Sequence, residues 1–301
     1  MNKNLVPFVG SSEFSKQMRG LIENLSKDNI SVLLIGERGT GKRLISQHIH
    51  YTEAKNFGYF FEINCKSFEK QQVLEAFSTV ENLIALNQKI TLFLCFVDEL
   101  DWDLQQAFFA FLQKVTKKEL KVKIICSVEN SLEEKVSKGL FLPDLYYRLN
   151  SVVLNILPLR QRKEDIIPIA QSYLKIFSKK SGYKFTDFSQ EAKDSMMNRL
   201  WKGNADELIN AVQRAFIVGN PPVIESADLG IESVNIFSEN ISKYLQENKS
   251  LKNATEAFKK EYLTKILEDN GWNQTKAARV LGIQRTYVIK LINELDIRRN
   301  K

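Results

Sequence analysis

Short, unbroken apolar runs recur through the first half of the chain, each followed by a stretch with helical periodicity. Val32-Leu33-Leu34-Ile35 is one run and Leu92-Phe93-Leu94-Cys95-Phe96-Val97 is another. Continuous rather than alternating apolar residues suit strands covered on both faces. The pattern predicts core strands over 31–35, 58–63, 91–97, 121–127 and 151–156, preceded by a loop and helix over 8–30. Strand–helix alternation of this kind implies an α/β fold with a mainly parallel sheet between two helical layers. From about 160 to 232 only helical spacing is seen, punctuated by Pro158, Pro168 and the turn Gly219-Asn220-Pro221-Pro222. Residues 233–250, rich in Asn, Ser, Lys and Glu, read as a linker. Residues 251–296 return to helical spacing as a compact tail.

Charge sharpens this outline in one place. The net charge of +7 favours an anionic partner without naming one. Between 271 and 301, however, seven basic residues face only two acidic ones, a net charge of +5 on the helical tail. No apolar run has the length of a membrane span and the start, Met1-Asn2-Lys3-Asn4, is polar. A cytoplasmic location with no membrane partner is therefore expected. Cys65, Cys95 and Cys126 lie in or beside apolar stretches without metal-ligand spacing and read as buried free thiols. His48 and His50 fall on different faces of a helix, which disfavours a metal pair, and Trp102, Trp201 and Trp272 read as packing anchors.

The chemistry concentrates in Gly36-Glu37-Arg38-Gly39-Thr40-Gly41-Lys42-Arg43, set between the apolar run 32–35 and the amphipathic stretch from Leu44. Strand, glycine loop and helix is the context of a phosphate-binding loop. Glycines let backbone N–H groups turn inward onto phosphate oxygens, and the helix that follows aims its N-terminus at the same anion. Lys42 supplies a point charge for the β- and γ-phosphates, so ATP is the expected ligand. Arg43 stands where a Ser or Thr hydroxyl would touch Mg²⁺. Further along, an apolar run closes on Asp98-Glu99. In a phosphate-loop ATPase the first acid holds Mg²⁺ and the second polarises the attacking water, roles that Asp98 and Glu99 fit by position.

The tail carries a second signature. Gly271 ends one helical stretch, Thr275–Leu281 forms the next, Gly282 supplies a turn, and Gln284–Leu295 forms the last. Two short helices about a glycine turn make a helix-turn-helix. Val288, Leu291 and Ile292 fall on the inward face, with Ile283 plugging the core. Gln284, Arg285, Thr286, Tyr287 and Lys290 are left for a DNA groove, with Lys276 beside them.

In their order along the chain these elements resemble the AAA+ domain of the sigma-54-dependent bacterial transcription activators. Phe8-Val9-Gly10-Ser11-Ser12, Phe61-Glu62-Ile63-Asn64-Cys65 and Asp98-Glu99-Leu100 with Asp103-Leu104-Gln105 are similar to that family's motifs. So are Asp144-Leu145-Tyr146-Tyr147-Arg148-Leu149-Asn150, Pro158-Leu159-Arg160-Gln161-Arg162 and Trp201-Lys202-Gly203-Asn204. Asn273-Gln274-Thr275-Lys276-Ala277-Ala278-Arg279-Val280-Leu281-Gly282-Ile283 resembles the Fis-type DNA reader that ends such activators. The resemblance implies an AAA+ α/β subdomain over 1–159, a helical lid over 160–232, a linker over 233–250 and a Fis-type domain over 251–301, with Leu251–Leu267 as a dimer surface. It makes Asn64 the residue that couples nucleotide state to the catalytic Glu99, and Arg148 a finger that reaches a neighbouring subunit. Only seven residues precede the AAA+ start, so input is not expected from a fused N-terminal sensory domain.

Departures from the family pattern run in one direction. No G-A-F-T-G-A loop, the element that touches the sigma factor, lies between Cys65 and Asp98. Leu142 stands at the first finger Arg, Glu129 at the sensor Asn and Asp206 at the lid Arg. Losing arginines and gaining carboxylates around a γ-phosphate weakens stabilisation of its leaving charge. The expected protein is a DNA-binding transcription regulator that binds ATP with weak or absent hydrolysis and does not remodel sigma-54 polymerase. The alternatives are a hydrolysing activator and a non-hydrolysing subunit that modulates a paralogous activator. Double-stranded DNA, a homodimer or AAA+ ring, and a paralogous activator or RNA polymerase are the partners implied.

Overall fold

The structure, a computed structural model, describes residues 5–52, 58–86, 88–117, 122–181, 185–230 and 259–297, the last without 261, 265 and 269. The expected linker 233–250 and the first part of the expected dimer surface 251–267 lie outside these residues. The chain falls into two compact units, Met1–Ile231 and Glu232–Lys301.

In the first unit five parallel strands form one sheet in the order β2-β3-β4-β1-β5: β1 (Val32–Ile35), β2 (Tyr59–Asn64), β3 (Ile90–Cys95), β4 (Val122–Val128) and β5 (Val152–Asn155). Alternate residues face opposite layers, as the two-residue strand period requires. Leu33, Ile63, Leu92, Leu94, Ile124 and Cys126 pack against α3 (Lys70–Ala85) and α4 (Trp102–Lys117). Val32, Leu34, Phe93, Ile125 and Leu154 pack against α1 (Glu13–Lys27) and α2 (Lys42–Tyr51). This double burial is why the strands read as unbroken apolar runs. Lys123, buried inside β4, is satisfied by the final carbonyls of α1, Leu25 O at 2.6 Å and Ser26 O at 2.7 Å.

Two short helices, α5 (Glu133–Ser137) and α6 (Pro143–Leu149), separate β4 from β5. The lid then comprises α7 (Ile166–Ser181), α8 (Gln190–Asn198) and α9 (Asn204–Val218). It is not wholly helical as expected: β6 (Asp187–Phe188) pairs in parallel with β7 (Val223–Ile224). Two-residue strands are too short to leave a periodic signal. A second correction falls on the run 91–97. The strand ends at Cys95, Phe96 turns left-handed with φ 56°, and Val97–Glu99 forms a 3-10 turn. Val97 is fully buried by that turn, which in sequence looks the same as burial in a strand. Trp201 is a buried anchor whose indole donates to Met196 O at 2.7 Å, whereas Trp102 is 46% exposed. Cys65 and Cys126 are buried and Cys95 half-buried, all as free thiols.

In the second unit α10 (Gln274–Leu281) and α11 (Arg285–Glu294) are joined at Gly282, whose φ of 65° gives the left-handed turn that glycine adopts without strain. Asn273 caps α10 by accepting from the N–H groups of Thr275 and Lys276, both at 3.1 Å. Leu263, Leu267, Ala277, Ala278 and Val288 form the core, with Ile283, Leu291 and Ile292 partly buried against it. Leu263 and Leu267, at the end of the segment expected as a dimer surface, are buried in this core.

Between α3 and α4, Phe77 stacks on Phe108 at 5.4 Å and on Phe111 at 5.5 Å. Phe108→Ala opens a cavity at the centre of this layer. It is expected to lower unfolding free energy by about 3–5 kcal/mol, checked by denaturant titration.

Candidate nucleotide site and nucleic-acid interface

The phosphate loop leaves β1 at Gly36, whose N–H donates to Val128 O on β4 at 3.2 Å. It enters α2 through Gly41, which caps the helix at φ 98°. The loop thus delivers the unpaired amides of α2 to one point above the carboxyl ends of β1, β3 and β4. Lys42 is 9% exposed, and its ammonium donates to Gly36 O at 2.5 Å and Glu37 O at 2.9 Å. Burial pushes its pKa down, opposed chiefly by the charge of Glu129, with Asp206 and Asp98 also contributing. The Thr40 hydroxyl turns back to Glu37 O at 2.8 Å. Arg43 points across to Glu62 on β2, with N–O distances of 2.8 Å.

The lid grips this loop from outside. Asn204, fully buried at the start of α9, donates through Nδ2 to Arg38 O at 2.8 Å and to Glu37 Oε2 at 3.2 Å. Its Oδ1 accepts Leu159 N–H at 2.8 Å. Ala205 N–H donates to Gly39 O at 2.9 Å. Gly39 has φ 75°, and a Cβ there would stand 2.1 Å from Gly203 O, so the loop must be glycine where the lid presses on it. Arg160 forks onto both oxygens of Glu37, and this hydrogen bond with that from Asn204 holds the carboxyl near a pKa of about 2. Buried Arg162 donates to Thr40 O at 2.7 Å. It also lies 3.8 Å from Asp165, which in turn accepts from Ser12 and Ser15.

A cavity of about 260 Å³ opens beside the loop. Thr40, Gly41 and Arg43 line its polar end, while Val6–Val9, Ile169, Tyr173 and Ile209 line its apolar end. Loop backbone and an arginine at one end and apolar side chains at the other suit a phosphorylated nucleotide. Asp206 sits in the same lining.

The expected metal-binding and catalytic residues are placed unevenly. Asp98 and Glu99 lie together on the 3-10 turn, but Asp98 Oδ2 accepts from Lys135 Nζ at 2.8 Å. Asp98 Oδ1 is buried without a hydrogen-bond partner among the described residues. With an ammonium on one oxygen and no hydroxyl after Lys42, the residues fit a nucleotide better than they fit Mg²⁺. Asn64 Oδ1 accepts Lys66 N–H at 3.1 Å in the turn after β2. Arg148 is exposed on the last turn of α6. Leu142 is half-buried against the sheet core, its N–H donating to Gln105 Oε1 at 2.7 Å. In the second unit Lys276, Gln284, Arg285, Thr286, Tyr287 and Lys290 are all exposed, the last 3.6 Å from Glu294. The basic face of α11 is thus free of the core that Val288 anchors.

Sequence reasoning did not single out Lys135, the apolar wall from α7 and α9, or the bonding of Arg160, Arg162 and Asn204. In the string Glu133-Glu134-Lys135 the lysine reads as ordinary surface charge.

Residues 8–155 match the family described as the Sigma-54 interaction domain, residues 160–256 the AAA+ ATPase lid domain, and residues 255–289 the bacterial regulatory proteins of the Fis family. The regulatory protein LuxO of Vibrio parahaemolyticus is 32% identical over 239 residues, covering 73% of this chain and 53% of its own length. The Nif-specific regulatory protein of Enterobacter agglomerans is 30% identical over 316 residues, covering 96% of this chain and 60% of its own. The chain therefore spans a little over half the length of these relatives. Among solved structures, NtrX from Brucella abortus in complex with ATP superposes with a TM-score of 0.68 at 24% identity. That match covers 97% of this chain and 70% of NtrX, and shows the shared fold.

The depressed pKa of Glu37 sets a pH dependence. Its contribution to stability is complete above the ordinary value of 4.5 and is lost as pH falls toward about 2. In thermal melts, Glu37→Gln is expected to be less stable than the wild type at neutral pH. The gap should close as pH is lowered through that window.

Proposed function

Because the chain belongs to the family of sigma-54-dependent transcriptional activators, with an AAA+ module, its lid and a Fis-type helix-turn-helix, we propose that it is a sequence-specific transcription regulator that grips ATP but turns it over weakly or not at all. The observation that carries this reading is an intact, lid-clamped phosphate loop ringed by the wrong charges for hydrolysis. Leu142 lies half-buried against the core where the family has a finger Arg, and Asp206 lies against the loop where the lid Arg is expected. Glu129 follows β4 beside Lys42 at the sensor position. Each replaces a group that would stabilise charge leaving the γ-phosphate.

Lys42 and the amides opening α2 hold the phosphates, and the wall from 6–9, α7 and α9 takes the base. Asp98 is the carboxylate that would hold Mg²⁺, and Lys135 already occupies one of its oxygens. Glu99 is the group placed to polarise water, and Asn64 lies on the neighbouring strand end. The residues between β2 and β3 include one uninterrupted helix, α3, and no G-A-F-T-G-A motif, which supports the reading that sigma-54 polymerase is not remodelled. A hydrolysing activator is the second reading, favoured by Arg148, exposed on α6 for a neighbouring subunit of a ring. A mixed ring with a paralogous activator would use the same surface. Double-stranded DNA is bound by α11, with Arg285 and Gln284 reading bases and Lys276 on phosphate.

Titration with a fluorescent ATP analogue is expected to show saturable binding that Lys42→Ala weakens at least about tenfold; equal binding by the two proteins would remove the phosphate-loop assignment. Selection of bound DNA sequences should return a specific site. On that site Arg285→Ala is expected to cost about 1–3 kcal/mol and relax specificity, while Lys276→Ala reduces the salt slope by about 1.

A further inference from the structure

The acidic pair that follows β3 carries a cation of its own. Lys135 Nζ, on α5, donates to both the carbonyl and the Oδ2 of Asp98, each at 2.8 Å, and stands 3.8 Å from Glu99 Oε1. It is not delivered by a loose segment. Leu132, three residues earlier, is buried, and Val136 packs against the sheet core. The carbonyl of Lys135 is itself held by the N–H groups of Leu140 at 2.8 Å and Phe141 at 3.2 Å. The Lys135 side chain is 35% exposed and that of Asp98 only 15%, so solvent screens their contact only in part.

An ammonium in this position removes one of the two negative charges that draw a divalent cation, and repels a dication placed on the same carboxylate. It also lies against Glu99, whose negative charge is what polarises a water. The position after Lys42 supplies no hydroxyl for a metal, since Arg43 stands there and is committed to Glu62. Two residues therefore bear on the same ion, and one of them, Lys135, supplies a substitute charge.

We propose that Lys135 is a built-in counter-cation for Asp98 and Glu99, setting this site to hold a nucleoside triphosphate without a divalent metal. The proposal rests on the nucleotide-binding reading above and specifies which form of the nucleotide the site takes. Lys135 acts as a positioning residue: it touches the acidic pair, not the phosphates.

The test is titration of the full chain with a fluorescent ATP analogue, in magnesium and in excess EDTA, on the wild type, Lys135→Met and Lys135→Arg. Wild-type affinity is expected to change by less than about threefold between the two conditions. Lys135→Met, similar in length but uncharged, is expected to gain a magnesium dependence of about tenfold or more, and Lys135→Arg to keep the wild-type behaviour. Equal magnesium dependence in the wild type and Lys135→Met, whether strong or absent, would overturn the proposal while leaving nucleotide binding intact. Failure of all three proteins to bind in either condition would remove the nucleotide reading, and this proposal with it.

Discussion

One buried amide, that of Asn204, ties the lid to the phosphate loop. Its three hydrogen bonds reach Arg38, Glu37 and Leu159, joining the loop, the start of α9 and the turn after β5. A buried amide left unpaired costs on the order of 1–3 kcal/mol, so these three elements are held in register or not at all. Asn204 and Trp201 both sit at positive φ, a strained backbone for residues with a Cβ. That strain, about 1–3 kcal/mol each, is sustained by the bonds Asn204 makes and by the burial of Trp201 beneath it. The Arg160–Glu37 fork and the Arg162–Asp165–Ser12 network then extend the same contact outward and back to α1. The loop is shaped as much by the lid as by its own glycines.

Around this clamp the charges divide by role. On the proposed reading a triphosphate is held by a buried lysine, the amides opening α2, and an apolar wall for the base. On the same reading Leu142, Glu129 and Asp206 stand where groups would draw charge off the γ-phosphate; the acidic pair is held by Lys135. Holding a ligand and splitting it need different electrostatics, since only interactions that strengthen in the transition state accelerate reaction. A regulator whose output depends on which nucleotide is present, and not on its consumption, needs only the first set. The C-terminal reader is built independently, its exposed basic face set by the packing of Val288 and the left-handed turn at Gly282.

The sheet was legible because its strands are buried twice over, leaving apolar runs whose ends differ from the observed strands by no more than two residues. The exception, Phe96-Val97, shows the limit of that signal: Val97 is buried by a 3-10 turn, and burial alone does not distinguish a turn from a strand. The phosphate loop and the helix-turn-helix were legible because glycine positions and helix caps are local. What escaped was carried by contacts between residues far apart in the chain. Lys135 meets Asp98 across 37 residues and Asn204 meets Glu37 across 167. Nothing in the local composition of either segment marks these meetings. The lid's two-residue strands escaped for the opposite reason, being too short for any period.

On the proposed reading the site retains ATP without splitting it. This is tested most directly by loading the purified full chain with ATP and following the bound nucleotide by chromatography over many minutes. The nucleotide is expected to be recovered as ATP, with phosphate appearing far more slowly than about one per second, the lower end of ordinary enzyme turnover. Prompt conversion to ADP, abolished by Glu99→Gln, would contradict that reading.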